Sequence, residues 1–392
     1  MAESGARWAA VVVNYEAGPL LTECVRSVLA DTSAGPVELV VVDNGSTDGS
    51  VAAARAEVPG LRVVAAPGNV GYARAANLGA AATTAPVVAV LNPDLVLRSG
   101  TAAAMLARFD REPGSAAVGP RVRDPDGGDY PSARILPSIP VAVGHGLLGL
   151  WWPSNPCTAR YRQLGSDPAL ARTVDWVSGA AVWLRRTALD AVGGWDERYF
   201  MYVEDVDLCW RLRRAGFTVA YEPGGEVVHV QGAVAGRHPY RMIVEHHRSA
   251  WRFARRRLDG PQTVLRPLAA VYFAVRGALA LLAHAFGAVS SAKHSRNNRW
   301  WYGVTALVLI AGMGLLVYAR GSEPAAVGPY ILDSANPSNP HNKDAHWHAA
   351  LGVYDCDHWL GDGTSGTWSW PFANSSGGPS RADNTNVYAG LH

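Results

Sequence analysis

Three apolar runs with similar polar endings decide the fold: WAAVVVNY at residues 8–15, VELVVVDNGS at 37–46 and PVVAVLNPD at 86–94. Each run has the length and the apolar character of a strand that is buried on both faces of a sheet. Alanine-rich helical stretches separate the runs, at LLTECVRSVLA (20–30), SVAAARAE (50–57) and YARAANLGAAAT (72–83). Strands that alternate with helices predict an α/β fold with a mostly parallel sheet covered on both faces.

The polar residues of this region fall where the predicted strands end. Asn14 and Tyr15 end the first run, Asp43 ends the second, and Asn92-Pro93-Asp94 ends the third. In such sheets the ligand binds at the carboxyl ends of the strands, so we expect a binding site there. The plain alternative for the second and third endings is that they only form turns. No glycine fingerprint follows the first strand, which argues against a dinucleotide-dependent oxidoreductase.

A further polar signal lies in YFMYVEDVDLCWRLRRAGF, residues 199–217. Acidic residues gather at its start, Asp207 and Arg211 are four residues apart, and a glycine follows the last arginines. This order predicts a short helix that begins at the acidic residues. The pair Glu204-Asp205 at its start either caps the helix or supplies a catalytic base.

Composition restricts the class of protein. The chain has 392 residues and a formal net charge of +2, so no strong field indicates a nucleic-acid partner. Its four cysteines are spaced so far apart that neither a disulfide framework nor a zinc site is indicated. No apolar run follows a basic patch at the N-terminus, so no signal peptide is predicted and the first domain is expected in the cytoplasm.

One apolar segment predicts a membrane span. Trp301–Tyr318 carries no charge, has about the length of a bilayer crossing and follows the basic run 293–299. The basic side is expected in the cytoplasm, which leaves the polar tail at 320–392 outside it. The alternative is a buried helix of a soluble domain.

A second apolar segment, 264–286, contains Arg266, Arg276 and His284, which favours a helix that lies in the membrane interface. The arginines that precede it either contact anionic headgroups or form a solvated basic face; they are Arg252, Arg255, Arg256 and Arg257. The predicted organisation is a catalytic domain at 1–260, a membrane-associated helical region at 261–299, a transmembrane helix at 300–319 and a tail domain at 320–392.

The order of the motifs resembles glycosyltransferase family 2, the inverting nucleotide-sugar enzymes with a GT-A fold. The motifs that carry the resemblance are VVVNY, VVVDNGSTDGS, GNVGYARAANLGA, LNPD, DWVSGAAVWLRR, GGWDERYFMYVEDVDLCWRLRRAGF and VVHVQG, and they extend over roughly residues 7–285. Within the family the chain is most similar to bacterial rhamnosyltransferases. The resemblance implies a catalytic domain with a Rossmann-like, mostly parallel central sheet.

The resemblance also implies roles for individual residues. Asp205 matches the general base, with Glu204 beside it, and Asp94 matches a metal ligand that His229 joins. Trp176 and Trp195 match acceptor-side positions. The positions that match nucleotide-sugar contacts are Asn14, Tyr15, Glu16, Asp43, Gly71, Arg74, Asn77 and Asn92. Asn92 replaces the first acid of the DxD-type motif of the family, which weakens the expected hold on the metal.

The ligands that the resemblance implies are a divalent cation (Mg²⁺ or Mn²⁺), a nucleotide-sugar donor and a lipid-linked acceptor at the membrane. For the rhamnosyltransferases these are dTDP-L-rhamnose and polyprenyl-diphospho-N-acetylglucosamine. Two alternatives stay open: a family 2 enzyme that uses galactofuranose or a hexose, and an inactive, membrane-tethered scaffold. The presence of Asp43, Asp94, Asp205 and His229 together favours an enzyme.

Overall fold

The computed structural model describes residues 5–148, 152, 154–230 and 238–290. The chain divides into two compact units, Met1–Leu316 and Val317–His392. All of the described residues belong to the first unit. The predicted membrane span at 301–318 and the tail at 320–392 lie outside the described residues.

A ten-stranded sheet lies at the centre of the described part. The strands of the chain are β1 (Trp8–Asn14), β2 (Val37–Asp43), β3 (Val63–Ala65), β4 (Val87–Leu91), β5 (Leu95–Leu97), β6 (Ser115–Arg123), β7 (Asp129–Tyr130), β8 (Ala133–Arg134), β9 (Arg172–Val174), β10 (Trp176–Val177), β11 (Ala181–Arg185) and β12 (Thr218–His229). The sheet has the order β3-β2-β1-β4-β11-β6-β12-β5, with β7 beside β6 and β9 beside β12. β8 and β10 form a separate two-stranded pair.

The first half of the sheet is parallel. β2 and β4 both pair with β1 in parallel, and β3 pairs with β2 in the same way. β11 then runs antiparallel to β4 and β6, whereas β12 is parallel to β6. The predicted α/β class and its Rossmann-like half are confirmed, and the sheet is mixed beyond β4.

Helices cover both faces of the sheet. They are α1 (Pro19–Ala30), α2 (Ser50–Glu57), α3 (Tyr72–Ala81), α4 (Thr101–Arg111), α5 (Ile139–Leu148), α6 (Pro156–Arg162), α7 (Arg186–Ala191), α8 (Glu204–Arg214), α9 (Pro239–Arg257) and α10 (Arg266–Ser290). Short 3₁₀ helices span Thr32–Ala34 and Gly260–Leu265.

Alternation along β1 explains the two helical layers, because successive side chains of a strand point to opposite faces. Val11 and Val13 belong to the core that α3, α7 and α8 cover. Ala10 and Val12 belong to the core that α1, α2 and α4 cover. A Cβ on Gly79 of α3 would lie 2.1 Å from a methyl group of Val11, so glycine lets this helix approach the sheet closely.

Helix α8 confirms the helix predicted within 199–217. It begins at Glu204 and ends at Arg214. Arg211 Nε donates to Asp207 Oδ2 at 2.8 Å, as the four-residue spacing predicts. Gly216 follows with a φ of 89°, a left-handed conformation that glycine adopts readily and that ends the helix.

Helices α9 and α10 pack on each other. Within the described ranges, one helical stretch, Gly260–Leu282, is long and apolar enough to cross a membrane. Its exposed large apolar side chains are Val264, Leu268, Val271, Val275 and Leu282. This length and composition favour membrane association without distinguishing a span from the interfacial helix that the sequence predicts.

The arginines at the end of α9 do not form one free basic face. Arg256 donates to the buried carboxylate of Asp207. Arg252 and Arg257 donate to backbone carbonyls of other segments, those of residues 198 and 137. Arg255 is the one of the four that is exposed. Three of the four therefore tie α9 to the catalytic domain rather than to a membrane surface.

Candidate active site

The carboxyl ends of β1 and β2 bring two of the predicted residues together. Asn14 and Asp43 are register partners, and Asn14 Nδ2 lies 3.3 Å from Asp43 Oδ1. The same amide group donates to the hydroxyls of Ser46 and Ser50, both at 3.0 Å. Asn14 is fully buried, so this network fixes the start of the loop that follows β2. Asp43 is half-buried at the edge where the sequence predicts a ligand.

The loop after β1 is tied to the loop after β2. Glu16 has a φ of 50°, and its carboxylate accepts from the N–H of Thr47 at 2.7 Å and from the hydroxyl of Thr47 at 3.0 Å. Its own N–H donates to the hydroxyl of Ser46. Tyr15, half-buried, precedes it in the same loop. The two loops thus form one continuous wall beside Asp43.

Asn44 fixes the loop before α3, and sequence reasoning misses it. Its Oδ1 accepts from the N–H of Val70 at 2.9 Å, and its Nδ2 donates to Asn69 Oδ1 at 3.2 Å. Gly71 follows with a φ of 89°, and a Cβ there would lie 2.6 Å from the carbonyl oxygen of Phe200. Gly71 therefore lets this loop contact the segment that leads into α8.

Asn92, Asp94 and His229 converge next to these loops. His229 Nε2 lies 3.0 Å from Asp94 Oδ1 and 3.3 Å from Asn92 Nδ2. His229 lies beside Asp94 because β12 pairs with β5, and this pairing places His229 opposite Leu95. Both Asp94 and His229 are buried, and His229 Nδ1 has no hydrogen-bond partner among the described residues.

This donor set fits a divalent cation. A carboxylate oxygen and an imidazole nitrogen 3.0 Å apart have about the separation of neighbouring ligands in an octahedron with bonds of about 2.1 Å. Within the part of the chain that the structure describes, no three His, Cys, Asp or Glu side chains form a complete cage. A cation held by Asp94 and His229 therefore needs further oxygen ligands, such as those of a diphosphate.

Two backbone N–H groups hold Asp205. Gly179 donates to Asp205 Oδ2 and Val206 donates to Asp205 Oδ1, both at 2.8 Å. Such hydrogen bonds favour the charged carboxylate, as does its place at the N-terminus of α8. A Cβ on Gly179 would lie 3.1 Å from the Asp205 Cβ, so glycine permits this close approach.

Glu204 and Asp205 differ in protonation. Burial and the neighbouring Asp205 charge raise the pKa of Glu204 to about 8. Glu204 Oε2 is buried and has no hydrogen-bond partner among the described residues. Burial also raises the pKa of Asp205, but the N–H groups of Gly179 and Val206 and the charge of Arg134 oppose that rise. The hydrogen bonds to Asp205 therefore favour its charged form, whereas Glu204, which lacks such partners at Oε2, favours the protonated form.

The backbone segment Gly179–Ala180 connects Asp205 to the loop that contains Asn92 and Asp94. The N–H of Asn92 donates to the carbonyl of Ala180 at 2.8 Å, while the preceding residue, Gly179, donates to Asp205. The phenol of Tyr72 donates to the carbonyl of Gly179 at 2.7 Å. The Gly179–Ala180 segment is thus bonded to Asp205 through the N–H of Gly179 and to the backbone of Asn92, whose side chain lies 3.3 Å from His229, through the carbonyl of Ala180.

Tyr72 confirms this proximity, although sequence reasoning misses it. Burial raises its pKa well above the usual value, and the negative charges of Glu204, Asp205 and Asp94 add to that rise. A phenol that all three carboxylates influence lies between them. The sequence signal that could identify Tyr72 as a residue of the site is its place directly after Gly71 in the motif GNVGYARAANLGA.

Four of the residues predicted to contact ligands make contacts within the protein, and their ligand roles stay predictions. Trp176 and Trp195 are 5% and 2% exposed and belong to the core, so neither ring lines the cleft as predicted for an acceptor contact. Asn77 exchanges hydrogen bonds with the backbone of Trp195, both at 2.9 Å. Arg74 is exposed and lies 3.6 Å from the carboxylate of Glu197. These contacts fasten α3 to the segment before α8.

Comparison with known proteins agrees with this geometry. The family model described as glycosyl transferase family 2 matches residues 9–190. The chain is 40% identical over 300 residues to N-acetylglucosaminyl-diphospho-decaprenol L-rhamnosyltransferase of Mycobacterium tuberculosis, and the alignment covers 74% of this chain and 95% of that protein. It is 33% identical over 202 residues to the pre-mycofactocin glycosyltransferase of the same species, which covers 50% of this chain and 38% of that one.

Among solved structures, the mannosyltransferase from Pyrobaculum calidifontis in complex with GDP-Man and Mn²⁺ aligns with a TM-score of 0.42 at 20% identity, over 80% of this chain and 82% of that one. The family match covers the strands that end at Asn14 and Asp43 and the turn that carries Asp94, and the 40% identity extends over nearly the whole length of the mycobacterial relative. The chain is therefore a glycosyltransferase and belongs to glycosyltransferase family 2.

Proposed function

We propose that this enzyme transfers L-rhamnose from dTDP-L-rhamnose to polyprenyl-diphospho-N-acetylglucosamine, with inversion at the anomeric carbon. The mycobacterial relative is named for this sugar and for an acceptor of this class. The observation that carries the proposal is that the Gly179–Ala180 segment connects Asp205 to Asn92, whose side chain lies 3.3 Å from His229 of the Asp94–His229 pair. A base on one side and a site for the leaving diphosphate on the other support a single displacement without an enzyme nucleophile.

In this mechanism Asp205 accepts the proton of the acceptor hydroxyl as its oxygen attacks the anomeric carbon. The bond from that carbon to the phosphate oxygen of the donor breaks in the same step. General-base assistance of this kind typically contributes about 10²–10⁴-fold to the rate. Glu204, protonated beside Asp205, offers a hydrogen-bond donor that orients the acceptor or the base.

The nucleotide binds against the wall that the loops after β1 and β2 form, together with the loop after β4. Asp43 accepts hydrogen bonds from the base or ribose, and the other residues proposed to line this side are Asn14, Tyr15, Glu16, Gly71 and Asn92. Mg²⁺ or Mn²⁺ held by Asp94 and His229 would stabilise the negative charge that grows on the departing nucleoside diphosphate.

We also propose that the enzyme works at the inner surface of the cell membrane, with its catalytic domain in the cytoplasm. The apolar stretch Gly260–Leu282 supports this placement, because it is largely unburied in the catalytic unit. A lipid-linked acceptor would reach Asp205 from that surface.

A donor panel tests the function. Membranes that contain the enzyme are incubated with polyprenyl-diphospho-N-acetylglucosamine and, separately, dTDP-L-rhamnose, UDP-galactofuranose, UDP-hexoses and GDP-hexoses. We expect transfer from dTDP-L-rhamnose and an inverted anomeric configuration in the product, with the Asp205→Asn variant as the inactive control. Preference for another donor would contradict the assigned sugar, and no transfer from any donor would favour the scaffold hypothesis.

A further inference from the structure

A cluster of basic side chains beside the carboxylate pair has no part in the chemistry above. The cluster, called the basic cluster below, comprises Arg134, His145, Arg162, His246, His247 and Arg276. We propose that the basic cluster binds the diphosphate group of the lipid-linked acceptor. This inference rests on the proposed function for the class of acceptor, and it names the residues that recognise it.

The first half of the basic cluster begins next to the base. Arg134 belongs to β8 and pairs in register with Trp176, three residues before Gly179. Its guanidinium lies 4.9 Å from the ring centroid of Trp176 and 5.6 Å from that of Tyr161. The ring of Tyr161 in turn lies 4.7 Å from that of His145 in α5. A series of tilted aromatic rings therefore packs against the Arg134 guanidinium and connects it to α5.

The second half of the basic cluster leads to the apolar helix. Arg276 of α10 donates from Nε to the carbonyl of Gly146 at 2.9 Å, one residue from His145. Its Nη1 lies 2.6 Å from His247 Nε2 in α9. The adjacent His246 is open to solvent, and its ring lies 5.6 Å from that of Tyr202, which is two residues before Glu204. One end of the basic cluster, Arg134, thus lies near Asp205, and the other end, His246, contacts the segment that leads into Glu204.

The arginines of the basic cluster are not held in ion pairs, although the charge of Arg134 acts on Asp205. Arg134, Arg162 and Arg276 form no ion pair with an acid among the described residues. Arg162 Nε is also buried without a hydrogen-bond partner in that part of the chain. Burial and the charges of Arg162, Arg276 and Arg134 lower the pKa of His145 to about 4. Uncompensated guanidinium groups in a partly buried place are suited to an anion such as a diphosphate, whose oxygens match the fork of N–H donors.

The position of the basic cluster favours the acceptor over the donor. The diphosphate of a nucleotide sugar belongs with Asp94 and His229, on the other side of the Gly179–Ala180 segment from Asp205. The basic cluster instead begins at Arg134, whose charge acts on Asp205, and extends from there to Arg276 and His247 on α10 and α9. Because Arg276 faces the catalytic domain while Val271 and Val275 of the same helix are exposed, α10 presents charge inward and apolar surface outward. A lipid-linked acceptor matches this distribution of charge and apolar surface. Its sugar would lie at Asp205, its diphosphate would bind to the basic cluster, and its lipid chain would lie along the outer face of α10.

Binding of farnesyl diphosphate to the full chain in detergent tests the inference, with dTDP added at saturation to fill the nucleotide site. We expect farnesyl diphosphate to bind at least about tenfold more tightly than farnesol, because charge-assisted hydrogen bonds recognise the diphosphate. Arg276→Gln and Arg162→Gln should each weaken farnesyl diphosphate about tenfold or more and leave farnesol unchanged. Arg276→Lys should recover part of the affinity. Arg255→Gln, which removes an exposed charge from the neighbouring helix α9, is the matched control and should bind like the wild type.

Equal affinities for farnesyl diphosphate and farnesol would overturn the inference, as would wild-type binding by both glutamine variants. The affinity of each variant for dTDP verifies that it is folded, and Arg162→Gln provides the test if Arg276→Gln is not. The assay requires no sugar transfer, so it separates the two proposals. Specific binding by an enzyme that transfers no rhamnose contradicts only the proposed function. Rhamnose transfer with an unchanged KM for the diphosphate acceptor in both glutamine variants contradicts only the basic cluster.

Discussion

At Asp205, burial and hydrogen bonding act in opposite directions on one carboxylate. Burial disfavours its charge, whereas the N–H groups of Gly179 and Val206 stabilise that charge and fix both oxygens. The residue therefore remains a base with a defined orientation beside a neighbour that carries the proton. Asp205, its two N–H donors and the neighbouring Glu204 therefore form the smallest group of residues in the structure whose arrangement affects the chemistry.

Asp205→Asn should lower the transfer rate by about 10²–10⁴-fold, because the amide cannot accept the proton of the acceptor hydroxyl. The donor site is on the other side of the Gly179–Ala180 segment, so the affinity for dTDP should stay at the wild-type value. Initial rates and nucleotide titration measure the two quantities. Substantial transfer by the variant would show that another group is the base.

Glu204→Gln should stabilise the protein more at high pH than at low pH. An acid with a folded-state pKa of about 8, against an ordinary value of 4.5, binds its proton more readily in the folded state. The free energy of unfolding of the wild type therefore falls as the pH rises through this window, and the amide removes that loss. Denaturant titrations should show a gain on the order of 4 kcal/mol near pH 8.5 and almost none near pH 4. A gain that does not depend on pH would contradict the assigned protonation.

Removal of divalent cations should lower the transfer rate by about 100-fold or more, because a bound cation stabilises the leaving diphosphate by several kcal/mol. Adding Mg²⁺ after the chelator should restore the rate. His229→Ala should raise the cation concentration needed for half of the maximal rate. Transfer that the chelator does not diminish would refute the metal site at Asp94 and His229.

At the scale of elements, α8 is fastened through a buried carboxylate. Asp207 is 0% exposed and accepts from Arg211 of its own helix, from Arg256 of α9 and from the hydroxyl of Tyr199. The carboxylate of Asp207 therefore connects α8 to α9 and to the segment before α8, close to the Glu204-Asp205 pair. The role of Asp207 is to hold the helix, as its spacing from Arg211 predicts.

Asp207→Ala should lower the free energy of unfolding by about 3–5 kcal/mol, because it leaves two arginines without their buried partner. Asp110→Ala is the matched control. Its ion pair with Arg7 is 58% and 60% exposed, so its loss should cost less than about 1 kcal/mol. Chemical denaturation compares the two variants. Equal effects would mean that the carboxylate of Asp207 contributes no more than a surface pair.

At the scale of the whole described unit, one face of the molecule is apolar and exposed along Gly260–Leu282. The double substitution Leu268→Glu and Val271→Glu should reduce sedimentation with phospholipid vesicles roughly tenfold or more, since each such side chain contributes about 1–3 kcal/mol when it leaves water. Leu170→Glu changes a side chain that is 61% exposed elsewhere and should have no effect. Unchanged vesicle binding by the double variant would exclude this face as the membrane contact.

Sequence reasoning predicts the parallel half of the fold because local signals are strong there. The apolar runs that end at Asn14 and Leu91 are strands buried along their whole length, and the run that ends at Asp43 is buried at Val40, Val41 and Val42. Short continuous apolar runs of this kind are typical of strands in a sheet that is covered on both faces. Helix α8 follows in the same way from its acidic start and its final glycine. For the site, the strand ends locate Asn14, Asp43 and Asp94, and the family motif locates Asp205.

The remainder depends on contacts between distant segments, which carry no local signal. Trp176 and Trp195 match acceptor positions in the motif, yet packing places both rings in the core. Tyr72 and Gly179 gain their importance only because α3 and the loop before β11 meet at Asp205. The arginines of α9 have the sequence pattern of a basic surface, but Arg256 donates a hydrogen bond to the carboxylate of Asp207 instead.

The sequence by itself determined the α/β class and the strand-end carboxylates, because apolar periodicity and turn chemistry act over a few residues, and the resemblance of its motifs indicated the family. The tertiary structure alone decided that β12 pairs with β5 and so places His229 beside Asp94. It also decided which member of the Glu204-Asp205 pair carries the proton, and it assembled the basic cluster from four helices and a strand. These features depend on burial and on the distances between charges far apart in the chain, and both arise only when the chain is folded.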